Sequence, residues 1–208
     1  MNLNRPRRHL LVLAAALPLL SGCFGAAVVG AGAGVLMITD RRSPETYVMD
    51  EGIELRGANR IGEKFGDRVH VNVTSFNRTV LLTGEVPDAA AKAEVEKLVA
   101  GVPNVRAITN ETVVSGPSAL SARANDGYIT SKVKARFVDA NRFAANHVKV
   151  VTENGIAHLM GLVTQAEADA AVDVARTTAG VRQVVRVFET ITPEQARAID
   201  GPPAKKAN

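Results

Sequence analysis

Val71-Asn72-Val73, Asn77 and Val80-Leu81-Leu82-Thr83-Gly84-Glu85-Val86 return later in the chain as Val148-Lys149-Val150, Asn154 and Ala157-His158-Leu159-Met160-Gly161-Leu162-Val163. Val71, Val73, Asn77, Leu82, Gly84 and Val86 all recur at an offset of 77. Ala100-Gly101-Val102 recurs as Ala179-Gly180-Val181 at an offset of 79, so the second copy carries two extra residues. Self-similarity at a fixed offset is the mark of a duplicated structural unit.

Each copy reads the same way. Helical patterning covers Gly52–Phe65 and Asp126–Asn141. Two strands follow, with apolar residues alternating as at Val69, Val71 and Val73. Their turns fall at Ser75–Arg78 and Glu153–Gly155, the second carrying the Asn-Gly pair that suits a tight hairpin. Second helices are expected at Asp88–Ala100 and Glu167–Ala179, with a Thr164/Glu167 capping box on the latter and left-handed caps at Gly101 and Gly180. Last strands run Val105–Val114 and Val184–Ile191. The order is αββαβ, twice, which makes the fold α+β. Two helices pack on one face of a small three-stranded mixed sheet in each copy. Ser115–Ala124 reads as the linker between copies, and Thr192-Pro193-Glu194-Gln195 caps a short final helix stopped by Gly201.

Working outward to the N-terminus, Arg5, Arg7 and Arg8 precede an apolar run from Leu10 to Leu20, then Leu20-Ser21-Gly22-Cys23. A basic start, a short apolar stretch and small residues before a cleavage point describe a secretory signal. The cysteine narrows it to a lipoprotein signal, with Cys23 as the acylated residue, and Phe24 rather than Asp favours the outer membrane. Cys23 is the one cysteine in the chain, so no disulfide framework is expected. Phe24–Ile38 is apolar and rich in Gly and Ala, and at 15 residues it is short of the roughly 20 that span a bilayer. It reads equally as a shallow leaflet or partner contact and as a flexible tether. The expected divisions are 1–22 signal peptide, 23–49 lipidated N-terminus and linker, 50–116 first domain, 117–124 linker, 125–192 second domain, and 193–208 short helix and disordered tail.

Charge excludes one class of partner. The chain carries 25 basic and 21 acidic residues, and losing Arg5, Arg7 and Arg8 with the signal leaves 22 against 21, a net +1. Nucleic acid is therefore not an expected partner.

On a helical wheel from Asp126, Ile129, Val133, Phe137 and Ala140 form a core stripe. Tyr128, Ala135 and Val138 lie roughly opposite, flanked by Lys132 and Lys134. An aromatic, an aliphatic and two lysines on an exposed face suit a membrane interface. Scattered surface residues or a contact with the other domain would look the same on a wheel. The first helix of copy one shows no equivalent, with Glu54, Glu63 and Asp67 adding negative charge and Gly57 and Gly62 weakening the helix. That copy is expected to be structural or a docking surface.

Val148-Lys149-Val150, Glu153-Asn154-Gly155, Leu159-Met160-Gly161-Leu162-Val163 and Gly180-Val181 together resemble the BON domain. With the Cys23 signal, the Ala/Gly-rich stretch, Thr39-Asp40 and Arg42-Ser43, nearly the whole chain is similar to the dual-BON outer-membrane lipoproteins. The resemblance implies two tandem BON domains and a lipid-anchored position at the outer membrane facing the periplasm. It also implies binding of anionic phospholipid (phosphatidylglycerol or cardiolipin) by the second domain, support of outer-membrane integrity and enrichment at the division site. Members of that family carry a Trp near the start of the second domain's first helix, where this chain has Tyr128.

No catalytic constellation is expected, and neither a cofactor nor a metal. The histidines at 70, 147 and 158 lack ligand spacing, and His147 and His158 read as solvated strand residues flanking one hairpin. The glycines at 30, 32 and 34 follow no strand and make no dinucleotide loop. The alternative to lipid reading is a lipid-tethered adaptor that docks an envelope protein partner.

Overall fold

Pro44 fixes φ for a helix's first turn, and Ser43 before it accepts a hydrogen bond from the Thr46 amide at 3.2 Å. The first helix therefore starts well ahead of Gly52, inside what reads as linker. The computed structural model describes residues 40–201; the signal, Cys23, the 24–38 stretch and the end of the tail lie outside the described residues. In chain order the elements are α1 (Pro44–Phe65), β1 (His70–Phe76), β2 (Thr79–Val86), α2 (Ala89–Ala100), β3 (Ala107–Asn110) and β4 (Val113–Val114). They continue with α3 (Leu120–Ala140), β5 (Lys149–Glu153), β6 (Ile156–Val163), α4 (Gln165–Arg176), β7 (Gln183–Thr190) and α5 (Pro193–Asp200).

The αββαβ order holds in both copies. β1 and β2 form an antiparallel hairpin, and β2 pairs in parallel with β3 and then β4, because Glu111 and Thr112 interrupt what reads as one strand. In the second copy β5–β6 is the hairpin and β7 runs parallel to β6 along its whole length. The Thr164/Glu167 capping box is present on α4, and Thr192/Gln195 make a second on α5. Further boundaries differ from the sequence reading, α4 ending at Arg176 rather than Ala179. α3 begins at Leu120, so most of the supposed linker is helical. Gly101 caps α2 with φ −77° rather than left-handed, and the positive φ of that loop falls on Asn104.

A second repeated device explains the hairpins. Asn77 and Asn154 hold φ of 50° and 51°, a region that asparagine tolerates better than most residues. Asp50 on α1 accepts from the Asn77 and Arg78 amides at 2.8 and 2.7 Å. Asp126 on α3 accepts from the Asn154 and Gly155 amides, both at 2.8 Å. Each buried aspartate thus satisfies the orphan donors of its own turn and ties helix to hairpin. Gly84 and Gly161 recur because a Cβ there would lie 2.0 Å from the His70 carbonyl oxygen and 2.4 Å from that of His147.

Alternation along β2 and β6 places the cores. Val80, Leu82 and Val86 face α1 and α2, joining Ile53, Ile61, Phe65, Val95 and Val99. Leu159 and Val163 face α3 and α4, joining Ile129, Val133, Phe137, Ala171 and Val174. The in-between residues are buried too. Phe76 and Leu81 pack on Met160 and Leu162, so the helix-free faces of the two sheets meet in a third apolar cluster. Both sheets are covered on each side. His158 lies in this double layer, nearly inaccessible, and His147 is buried beside α4, so the solvated placement expected for both is corrected. For His158 the cause is the sheet-on-sheet packing, which a single-copy reading leaves out; His147 is covered where Glu167 and Asp200 close over it.

Candidate functional site

Burying Ile129, Val133 and Phe137 turns the opposite side of α3 outward. Tyr128 is 64% exposed and Val138 66%, and Lys134 and Ala135 are exposed between them. From Tyr128 to Val138 the helix rises about 15 Å. Lys132 is half-buried and partly engaged. Its ammonium sits 4.6 Å over the Tyr128 ring and donates to the Ala179 carbonyl beyond α4. That arrangement orients the phenol and leaves Lys134 as the freer cation. Asp139, three turns on from Tyr128 and exposed, shares the stripe and opposes an anionic surface.

The N-terminal segment meets this face. Lys134 and Val138 line a shallow depression of about 390 Å³ with Asp40, Arg42, Tyr47 and Glu51. The chain therefore enters the fold next to the far end of the α3 stripe. Two arginines hold it there, neither of which stands out in sequence. Arg42 lies 4.2 Å from the Phe76 ring and 4.8 Å from that of Tyr47, and pairs with Asp50 at 2.9 Å and with Asp40. Burial works against its charge, yet the bonds to Asp40 and Asp50 outweigh it and its pKa is raised.

Arg41 is fixed more fully. Its Nε and Nη2 donate to the two oxygens of Asp200, both at 2.8 Å, and its Nη1 and Nη2 donate to Glu167 at 2.7 and 2.9 Å. Nη1 also donates to the Leu162 carbonyl at 2.9 Å. The same Glu167 carboxylate accepts from the Thr164 amide in the α4 capping box. One guanidinium thus joins the entering chain, α4 and α5. Hydrogen bonding to Asp200 is the largest cause of its raised pKa. Asp200 is held below the usual carboxylate range chiefly by Arg41.

In the first domain, α1 exposes Val48 and Leu55 on one side, with Glu51 between them. Glu54 on the same helix pairs with Lys149 of the second domain at 2.9 Å. Among the described residues no helix is long and apolar enough to cross a membrane.

The BON domain family model matches residues 58–116 and again 125–191. The chain is 34% identical over 186 residues to the Outer membrane lipoprotein DolP of Haemophilus influenzae, covering 88% of this chain and 96% of that protein. It is also 34% identical over 154 residues to a 21 kDa hemolysin of Actinobacillus pleuropneumoniae, covering 73% of this chain and 79% of that one. A domain of CdsD, a structural protein of the Type III secretion system of Chlamydia trachomatis, covers 74% of this chain and 97% of its own at 16% identity, but a TM-score of 0.27 gives that likeness no weight. Two matched domains and an alignment spanning nearly all of a relative place the chain in the BON-domain family, as an outer-membrane lipoprotein.

Proposed function

We propose that this lipoprotein, acylated on Cys23 and facing the periplasm, binds anionic phospholipid through the exposed face of α3. It is a binding protein rather than an enzyme. The observation that carries the reading is the shared depression: Lys134 and Val138 border Asp40, where the chain from Cys23 joins the fold. Cys23 precedes Asp40 by 17 residues, a reach of at most about 60 Å even fully extended. An anchor on such a leash keeps the face at high local lipid concentration, so weak contacts suffice. Each lysine near an anionic surface contributes about 1 kcal/mol. Tyr128 supplies an aromatic at headgroup depth, where a phenol keeps its hydroxyl wet. Support of outer-membrane integrity and enrichment at the division site rest on the family resemblance alone.

Both helix-facing cores close within residues 40–201, so a chain lacking the anchor can be tested. Residues 40–208 are sedimented with phosphatidylglycerol and phosphatidylcholine vesicles at low and physiological salt. Selective, salt-sensitive binding to the anionic vesicles is expected. The Tyr128→Glu/Val138→Glu pair abolishes it, and Asp139→Asn strengthens it by roughly fivefold, one unit of charge at the surface. Binding untouched by the paired substitution, or no binding at all, overturns the proposal. Failure would favour the adaptor reading, which draws on Val48 and Leu55, exposed together on α1.

A further inference from the structure

His70 and Glu85 are cross-strand partners on β1 and β2, and the His70 Nδ1 lies 2.9 Å from a Glu85 carboxylate oxygen. Glu153 ends β5, in the other domain, and sheet-on-sheet packing brings it to the same place. One potential ligand atom from each of the three lies within 4.8 Å of the others. Glu85 is 2% exposed and Glu153 8%.

We propose that His70, Glu85 and Glu153 form a zinc-type divalent-cation site that bridges the two domains. Two carboxylates sharing a nearly dehydrated space repel each other unless a cation or a proton intervenes. The contacts are unequal. Glu85 accepts from His70, the Ser118 amide and hydroxyl, and Asn154, which together outweigh its burial and hold its pKa low. Glu153 accepts from Asn72 at 3.0 Å, and burial, aided by the charges of Glu85 and Asp126, pushes its pKa up. A divalent cation would let both carboxylates ionise together.

The donor set selects the cation. One imidazole nitrogen and two carboxylate oxygens suit zinc, whereas calcium or magnesium calls for six or more oxygens. Bonds of about 2.0–2.2 Å in a tetrahedron set ligand atoms about 3.4 Å apart, so closure asks for a side-chain shift of about an ångström. Asn72, Asn154 and Ser118 already orient the carboxylates from behind, as outer partners of metal ligands do. A cavity of about 390 Å³, lined by His70, Glu153, Arg123 and Asp126 but not by Glu85, gives an entry path on the His70 and Glu153 side. No sequence spacing reveals the set, because it converges from three strands in two domains. The inference is independent of the lipid reading.

The test uses the full acylated chain, purified in detergent and stripped with EDTA, then titrated calorimetrically with zinc chloride and melted with and without zinc. One equivalent of zinc and a higher melting temperature are expected, since the ion binds only the folded arrangement. Glu153→Gln and, separately, His70→Asn should weaken binding by on the order of tenfold or more. Glu153→Gln keeps the size and an acceptor for Asn72 and removes one buried charge, so its metal-free melting temperature should not fall. That control makes it decisive even if His70→Asn folds poorly. Absence of zinc binding in the wild type, or unchanged binding in Glu153→Gln, overturns the proposal.

Discussion

Replacing Arg41 with Ala should cost about 3 kcal/mol of stability. The figure follows from what is left behind. The guanidinium is 3% exposed and makes five hydrogen bonds, and removing one partner of a buried ion pair typically costs about 3–5 kcal/mol. Asp200 is 36% exposed and regains water, which lowers its share; Glu167 at 18% and the buried Leu162 carbonyl do not recover as well. For a unit of this size about 3 kcal/mol corresponds to a fall of roughly 6–12 °C in melting temperature. The assay is urea and thermal unfolding of residues 40–208 at neutral pH and again well below pH 3.8, the ordinary Asp value. Asp200 and Glu167 have lowered pKa values in the fold, so their contribution is present above the unfolded values and lost as pH falls through the folded ones. The gap between wild type and Arg41→Ala should therefore close in acid. A loss under about 1 kcal/mol at neutral pH, the usual worth of a surface pair, or a gap that persists in acid, would refute the reasoning.

Gly84→Ala and Gly161→Ala should each destabilise by on the order of 3 kcal/mol in urea unfolding, because a backbone carbonyl occupies the space of the new methyl. Gly62→Ala, with nothing within 4 Å of its Cβ, should instead stabilise by about 0.5–1 kcal/mol. The pKa values of His147 and His158 are lowered from 6.5, in both cases chiefly by burial. Their unfolded forms take up protons first, so stability should decline as pH falls below 6.5; a flat melting temperature from pH 7 to pH 5 would count against this, at about the ordinary imidazole range.

The order of elements was legible because it rests on local chemistry. Thr164 and Glu167, Thr192 and Gln195, and the Asn-Gly turn act within a few residues, and the repeat marks which signals to trust. What escaped depends on contacts between distant residues. Asp50 and Asp126 carry no local sign of their role, because the hairpin turns that dock on them lie 27 to 29 residues away. Arg41 and Arg42 read as linker charge because, Asp40 apart, their partners lie 8 to 159 residues away. His158 was expected in solvent because strand alternation in one copy gives no sign of a second sheet above it. Of the α3 face, Tyr128, Val138 and Lys134 were readable from the wheel; the engagement of Lys132 with Ala179 and the nearness of Asp40 were not.

Duplication usually invites a picture of two modules on a string, and the packing here argues against it. Leu81 and Met160 are fully buried only because each sheet covers the other, so either domain alone would expose an apolar strip along its central strand. The interface is also polar at its rim: Asn72 donates to Glu153, Asn77 to Glu189, and Lys149 bonds Glu54. Such a rim fixes register more than it adds affinity. Arg41 then binds the entering chain to the second domain while Arg42 binds it to the first. The segment at Arg41 and Arg42 is therefore tied to both domains at once. Whatever the exposed face of α3 contacts, both sheets stand packed behind it.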